Sequence, residues 1–322
     1  MELSTGSSPD GEELPAGLRE DLPTTTKDAA PMPQAEPEPR APAKGPRRLT
    51  IDLDGAWCYR QIHGVNAPGA SDDDDDVLLL GLPRFLELCA RLSATATLFV
   101  VGADLRSEPY ARLIEEAARA GHEVMSHSHS HAYDLSRWPR SRIDDDIRAS
   151  VDAIAAVTGC APRGFRAPGY NLSPPLLDAV KDAGVHWSSS LLPAPAYFGA
   201  RALVIARTAL AGRRSASLLG DPRAFWPGRR PRRRHPNGLL EFPLSAPWGI
   251  PFTGTMLALL PDGCAHWLST AARAADDVSL ELHAADFVDG HLLPAGQPER
   301  DVPLVDKLAR IERACRSVVD VA

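Results

Sequence analysis

The chain has no paired cysteines. Its five, Cys58, Cys89, Cys160, Cys264 and Cys315, are scattered, and none forms a C-x-x-C pair. Such a set argues against a disulfide scaffold or a thiolate zinc site, and the expected role is that of small apolar residues carrying reduced thiols. A long hydrophobic run is also missing: no stretch approaches the ~20 apolar residues needed to span a bilayer. The first residues, Met1-Glu2-Leu3-Ser4, and those after them stay polar, without the apolar core of a secretory signal, so a cytoplasmic location is expected. Positive charge is not in excess. Lys plus Arg is 35 against 42 for Asp plus Glu, a net charge of −7, which argues against generic nucleic-acid binding. Neither G-x-G-x-x-G nor G-x-x-x-x-G-K-[ST] follows the first strand-like segment, so nucleotide-binding folds lose support.

What remains is a 322-residue chain with 44% hydrophobic and 24% charged residues, an ordinary globular composition. Residues 1–46 hold nine of the 30 prolines among Glu, Ala, Ser and Thr. Such a segment cannot bury enough apolar surface to offset its ordering entropy, and a disordered tail is expected there, followed by one domain over 47–322. Within that domain strand-like and helix-like segments alternate. Strands are expected at 49–53, 96–101, 122–126, 164–167, 185–190, 239–243 and 278–283. Helices are expected at 85–91, 110–120, 140–158, 174–184, 265–275 and 303–319, with Ser107 and Ser173 as N-caps. Repeated strand–helix units imply a parallel sheet covered by helices, closed as a (β/α) barrel or open as a doubly wound sheet.

Polar residues collect at the C-terminal ends of these strands. The first ends in Asp52-Leu53-Asp54-Gly55, the third runs into His127-Ser128-His129-Ser130-His131, the fourth carries Arg166 and leads to Tyr170, and the last ends in His283. In a parallel barrel the active site forms at this face, from several strand ends at once. Asp52 and Asp54 stand two apart on an extended strand and so point to one side, where two carboxylates repel unless a cation or proton lies between them. The H-x-x-x-H spacing of His127 and His131 would set both rings on one side of a helical turn. Two imidazoles and a carboxylate suit a divalent cation and leave positions open for water and substrate. His129 also fits by spacing.

These segments resemble the polysaccharide deacetylase family, the NodB-homology carbohydrate esterases, from about Leu49 to Arg316. Thr50-Ile51-Asp52-Leu53-Asp54-Gly55 is similar to the family's T-F-D-D-G motif in a spaced D-x-D form. Ser126 to His131 matches [ST]-H-x-x-x-H, Arg166-Ala167-Pro168-Gly169-Tyr170 matches R-x-P-x-Y, and Leu280-Glu281-Leu282-His283 matches L-x-L-H. The resemblance implies a distorted (β/α) barrel and a metal-dependent hydrolase that removes N-acetyl or similar acyl groups from a saccharide. It implies Asp54, His127 and His131 as ligands to one divalent metal. Zinc is the expected ion, with cobalt, nickel, manganese or iron also acceptable. It implies Asp52 as general base activating water, Arg166 as the residue holding that base, the Tyr170 backbone N–H as an oxyanion donor and His283 as the acid protonating the leaving amine. The extra residue between the aspartates lets Asp52 and Asp54 exchange roles. The family's remaining Asp-containing motif has its nearest counterpart in Glu241-Phe242-Pro243-Leu244 with Pro247-Trp248, which leaves Asp286 and Glu241 as candidates to orient His283.

Other segments carry weaker signals. Trp57 to Gly64 offers Trp57 as a sugar platform and His63 as a pocket residue, or is simply a loop packed over the barrel mouth. Asp72 to Asp76 reads as a solvated loop. Arg213, Arg214, Arg223, Arg229, Arg230, Arg232, Arg233 and Arg234 are either solvated or placed to attract an anionic, phosphate- or lipid-linked saccharide at a membrane surface, without a transmembrane segment. Two other functions share the pattern: an amidohydrolase acting on a small non-sugar amide, and a non-catalytic saccharide-binding barrel. The second would be expected to lose Asp52 or His283, and both are present.

Overall fold

The computed structural model describes residues 47–65, 75–220 and 233–319. The expected tail, 1–46, lies outside them. Eight strands form one sheet: β1 (Arg47–Leu53), β2 (Thr97–Val100), β3 (Glu123–Ser126), β4 (Gly164–Phe165), β5 (Trp187–Ser188), β6 (Arg233–Arg234), β7 (Leu240–Glu241) and β8 (Val278–His283). Their order is β6-β7-β5-β4-β3-β2-β1-β8, all parallel except the β6–β7 pair. Apart from that pair, each new strand joins the sheet on the same side as the one before, and the last returns to the first. A doubly wound sheet reverses direction at a switch point; this one does not, so the chain winds as a barrel.

Closure is irregular. Where a β7–β8 ladder would complete a regular barrel, residues 245–253 run along β8 instead. Ser245 N donates to Ser279 O at 3.3 Å, Glu281 N donates to Phe252 O at 3.2 Å, and Thr253 bridges to Glu281. The result is the curled, distorted (β/α) barrel expected from the sequence.

Alternation along β1 builds the two layers. Leu49, Ile51 and Leu53 are buried in the main apolar core with Val77, Leu82 and Phe85 of the helix α2 (Asp76–Arg91). Thr50, Asp52 and Asp54 are buried on the opposite side. The register pairs Thr50 with Glu281 and Asp52 with His283 on β8, so the polar residues of both strands share the inner face. A second core packs α4 (Arg140–Thr158) and α5 (Pro174–Asp182) through Ile143, Ile147, Leu176 and Val180 onto Phe165 of β4.

Several expectations change. Residues 56–62 form the helix α1 (Ala56–Ile62) rather than a loop. The helix expected at 85–91 begins nine residues earlier, because Asp75 caps it: its carboxylate accepts from Val77 N and Leu78 N, and from Ala56 N at 2.6 Å. Asp75 is therefore a tie between α1 and α2, not a solvated charge; residues 72–74 lie outside the described residues. The stretch after β5 holds α6 (Pro195–Leu210), and α7 (Gly254–Leu259) precedes α8 (Asp262–Arg273); neither α6 nor α7 was expected. Ser107 sits at the N-cap of α3 (Glu108–Arg119), but its hydroxyl makes no cap bond, whereas Ser173 Oγ accepts from Leu176 N. The last helix, α9, runs Leu304–Val319. All five cysteines are free thiols; Cys58, Cys89 and Cys315 are buried, and Cys160 and Cys264 are exposed. No helix among the described residues is long and apolar enough to cross a membrane.

Candidate active site

Asp54 stands one residue past β1, and His127 one residue past β3. His131 follows in a loop, not on a helical turn as its spacing suggested. Two left-handed residues make that loop, Ser128 at φ +66° and His131 at φ +48°. Such backbone is costly for non-glycine residues and persists only where its surroundings hold it. Here they do: His131 N donates to Ser128 Oγ at 3.0 Å, and Ser128 N to Ser126 Oγ at 3.2 Å. Asp146 of α4 accepts from His129 N at 2.9 Å and from Ser130 N at 3.1 Å.

The loop brings both imidazoles to one carboxylate. His131 Nε2 is 3.1 Å and His127 Nε2 3.4 Å from Asp54 Oδ1. His127 Nδ1 bonds to the Arg166 carbonyl at 2.8 Å, which fixes the ring and turns Nε2 toward the aspartates. Asp54 Oδ1 and His131 Nε2 are buried without a hydrogen-bond partner. Buried polar atoms are seldom left so, and three convergent N and O donors with two such atoms among them fit a divalent cation. Burial opposes the charge on Asp54, but His131 and His127 outweigh it and hold that carboxyl well below its usual range. His129 is not in this group.

A second cluster lies beside the first. Asp52, Glu281 and His283 bring their polar atoms within 4.8 Å of one another. Asp52 pairs with Arg166, which is fully buried and also stands 3.5 Å from Glu281. Arg166 further donates to Thr50 Oγ1, Ser189 O and Ser189 Oγ, and its guanidinium lies 3.9 Å over the Phe99 ring. Burial and the neighbouring Asp52 charge push Glu281 up to about 7. Burial alone would lower His283, but Glu281, Asp52, Asp54 and Asp286 outweigh it and raise the imidazole to about 9.

Three expectations shift here. The Tyr170 N–H donates to Ala167 O at 2.9 Å, so it is engaged within its own turn rather than held free for an oxyanion; its phenol donates to Glu281 Oε1 at 2.7 Å. Trp57 is not among the residues lining the cavity and stands behind a candidate ligand: its ring meets His131 edge-on at 5.8 Å, and its Nε1 donates to Asp104 Oδ1 at 3.2 Å. Neither candidate for orienting His283 bonds its ring through the carboxylate. Asp286 accepts from the His283 backbone N–H, and Glu241 accepts from Ser190 N and Leu191 N. His63 does line the cavity and contacts Gln297 at 3.2 Å. Of the arginine run, Arg213, Arg214 and Arg234 are exposed; positions 223, 229, 230 and 232, and the Arg233 side chain, lie outside the described residues.

Sequence reasoning missed Glu281 and Asp146. Both carried a signal. Glu281 stands two before His283 on a strand and so must share its face. Asp146 stands three after Ile143 and one before Ile147, on the buried face of α4, where a carboxylate needs partners.

Asp52, Asp54, His127 and His283 open together into one cavity of about 460 Å³. Residues 74–187 match the family model described as polysaccharide deacetylase. Over those residues the chain is similar to the polysaccharide deacetylase family. A Helicobacter pylori peptidoglycan deacetylase is 28% identical over 150 residues, covering 45% of this chain and 48% of that protein. A Bradyrhizobium chitooligosaccharide deacetylase is 33% identical over 110 residues, 33% and 49% of the two chains. This chain thus spans about half the length of the curated relatives it matches. Among solved structures, a Mycobacterium smegmatis protein named as a candidate polysaccharide deacetylase shares the fold at TM-score 0.53 and 19% identity, over 91% of this chain and 88% of that one. The polysaccharide deacetylase match includes His127, His131 and Arg166 and stops short of Asp52, Asp54 and His283, which the fold brings to the same cavity.

Proposed function

We propose that this protein is a metal-dependent hydrolase that removes an N-acyl group, acetyl or similar, from a saccharide. The observation that carries the proposal is the convergence of Asp54, His127 and His131, with partnerless buried atoms, in a cavity that also presents Asp52 and His283. The relatives named as peptidoglycan and chitooligosaccharide deacetylases support the saccharide and the carbon–nitrogen bond as targets.

In this reading Asp54, His127 and His131 hold one divalent cation, zinc or another borderline ion suited to imidazole and carboxylate. A cation held there would supply Lewis acidity toward the acyl carbonyl and water. Asp54 is favoured over Asp52 as ligand because its Oδ1 faces both histidines, whereas Asp52 is committed to Arg166. Asp52 then takes the proton from the attacking water, with Arg166 holding its carboxylate in place. His283 gives a proton to the departing nitrogen, since an amide anion does not leave. An imidazole raised to about 9 is protonated at neutral pH and fits that part.

The experiment is metal analysis together with acetate release from N-acetylated sugars. The expected result is about one metal per chain, lost in His127→Ala, with release abolished in both His127→Ala and Asp52→Asn. A wild-type protein that takes up no divalent metal after supplementation refutes the proposal.

A further inference from the structure

The cavity above the candidate metal residues has walls of an unexpected kind. Ala196, Ala200 and Val204 stand four residues apart on α6 and so form one stripe. Ile250, and Met256 and Leu259 of α7, line the same cavity. Both helices lie outside residues 74–187, the part that matches the family model. Leu259 is 45% exposed, and Ala196 and Ala200 are also open to solvent. Most of the cation chemistry in the walls is committed: Arg201 donates through Nε to Ser217 Oγ and through Nη1 to Gly169 O, with its buried Nη2 left without a partner, and His63 contacts Gln297. The unpartnered Asp54 Oδ1 and His131 Nε2 lie at the site this cavity serves.

Sugar hydroxyls laid against such walls would leave water without gaining hydrogen bonds, which is unfavourable. An apolar group placed there loses only water contacts, which is favourable. We infer that the substrate of this site is amphiphilic, carrying an aliphatic chain or ring of several carbons beside the scissile amide, which packs between α6 and α7. This deepens the proposed hydrolase reading and rests on it. The apolar group can belong to either side of the amide, to the acyl group itself or to the aglycone of the amino sugar.

The test is calorimetric binding to wild-type protein held metal-free in chelator, where no hydrolysis intervenes. The ligands are N-octanoyl-glucosamine, the octyl glycoside of N-acetylglucosamine, and N-acetylglucosamine itself. At least one octyl ligand is expected to bind about tenfold or more tightly than N-acetylglucosamine. Preference for the first assigns the walls to the acyl side, and preference for the second to the sugar side. Val204→Glu and Leu259→Glu, at partly exposed positions that tolerate a charge, are each expected to remove most of that gain, with thermal unfolding confirming that both fold. Affinities within about twofold of one another, no binding by either octyl ligand, or a gain that survives both substitutions would overturn the inference. Because neither metal nor turnover is read, that failure is separate from failure of the hydrolase reading, which metal content and acetate release decide.

Discussion

Arg166→Met removes the cation that two buried carboxylates share. Arg166 and Glu281 are fully buried and Asp52 nearly so, and no other arginine or lysine among the described residues forms an ion pair with either acid. Breaking one side of a buried ion pair costs about 3–5 kcal/mol, because the remaining charge is left uncompensated. The low end applies here. Glu281 is already raised to about 7 with Arg166 in place, so without it this acid stays protonated at neutral pH, and Asp52 loses its paired cation but keeps His283 and, at 3.7 Å, His127 beside it. Methionine keeps a long apolar side chain against Phe99, which limits any cavity. A loss of about 3 kcal/mol is therefore expected, a large part of the ~5–15 kcal/mol that holds a typical domain folded. Urea unfolding followed by tryptophan fluorescence measures it as a lower midpoint at unchanged slope. Adding Asp52→Asn and Glu281→Gln should restore at least half of the loss, since the whole charged set is then gone. A single-variant loss under about 1 kcal/mol, or a triple variant no better than the single, would refute this account.

The His283 imidazole should titrate near 9 in metal-free protein, read by NMR of its ring protons, and lower once a cation occupies the neighbouring ligands. Because its folded pKa is raised above 6.5, its contribution to stability is complete below about pH 6.5 and fades as pH climbs toward about 9; His283→Gln should flatten stability over that window. Trp57→Ala, which removes the ring against His131 and the bond to Asp104, should weaken metal binding about tenfold in a chelator competition, whereas His131→Ala should abolish it; equal effects would contradict the bracing role. Asp75→Ala should lower unfolding free energy by about 1–3 kcal/mol, more than the roughly 1 kcal/mol of Ser173→Ala, because Asp75 holds Ala56 N as well as the start of α2.

Much of the site was legible in the order of residues. Period-two alternation set Asp52 with Asp54 on the inner face of β1, and strand ends followed by polar residues marked His127, Arg166 and His283, because in a parallel barrel those ends converge by geometry. Strand–helix alternation likewise determined the α/β class and left its closure open. Other features needed the folded chain. The H-x-x-x-H spacing suggested a helix, and the rings meet instead through left-handed backbone that Asp146 and two serines stabilise from elsewhere in the sequence. The preference for Asp54 over Asp52 as candidate ligand rests on its standing 3.1 and 3.4 Å from two histidines, which no spacing encodes. Glu281 acquired its raised pKa from burial in the fold and from Asp52, far away in the sequence, against the opposing pull of Arg166 and Tyr170. The walls of α6 and α7 were invisible in sequence because weakly patterned helices draw their meaning from what they face. Local order determines which way a side chain points, and only tertiary packing decides what it meets there.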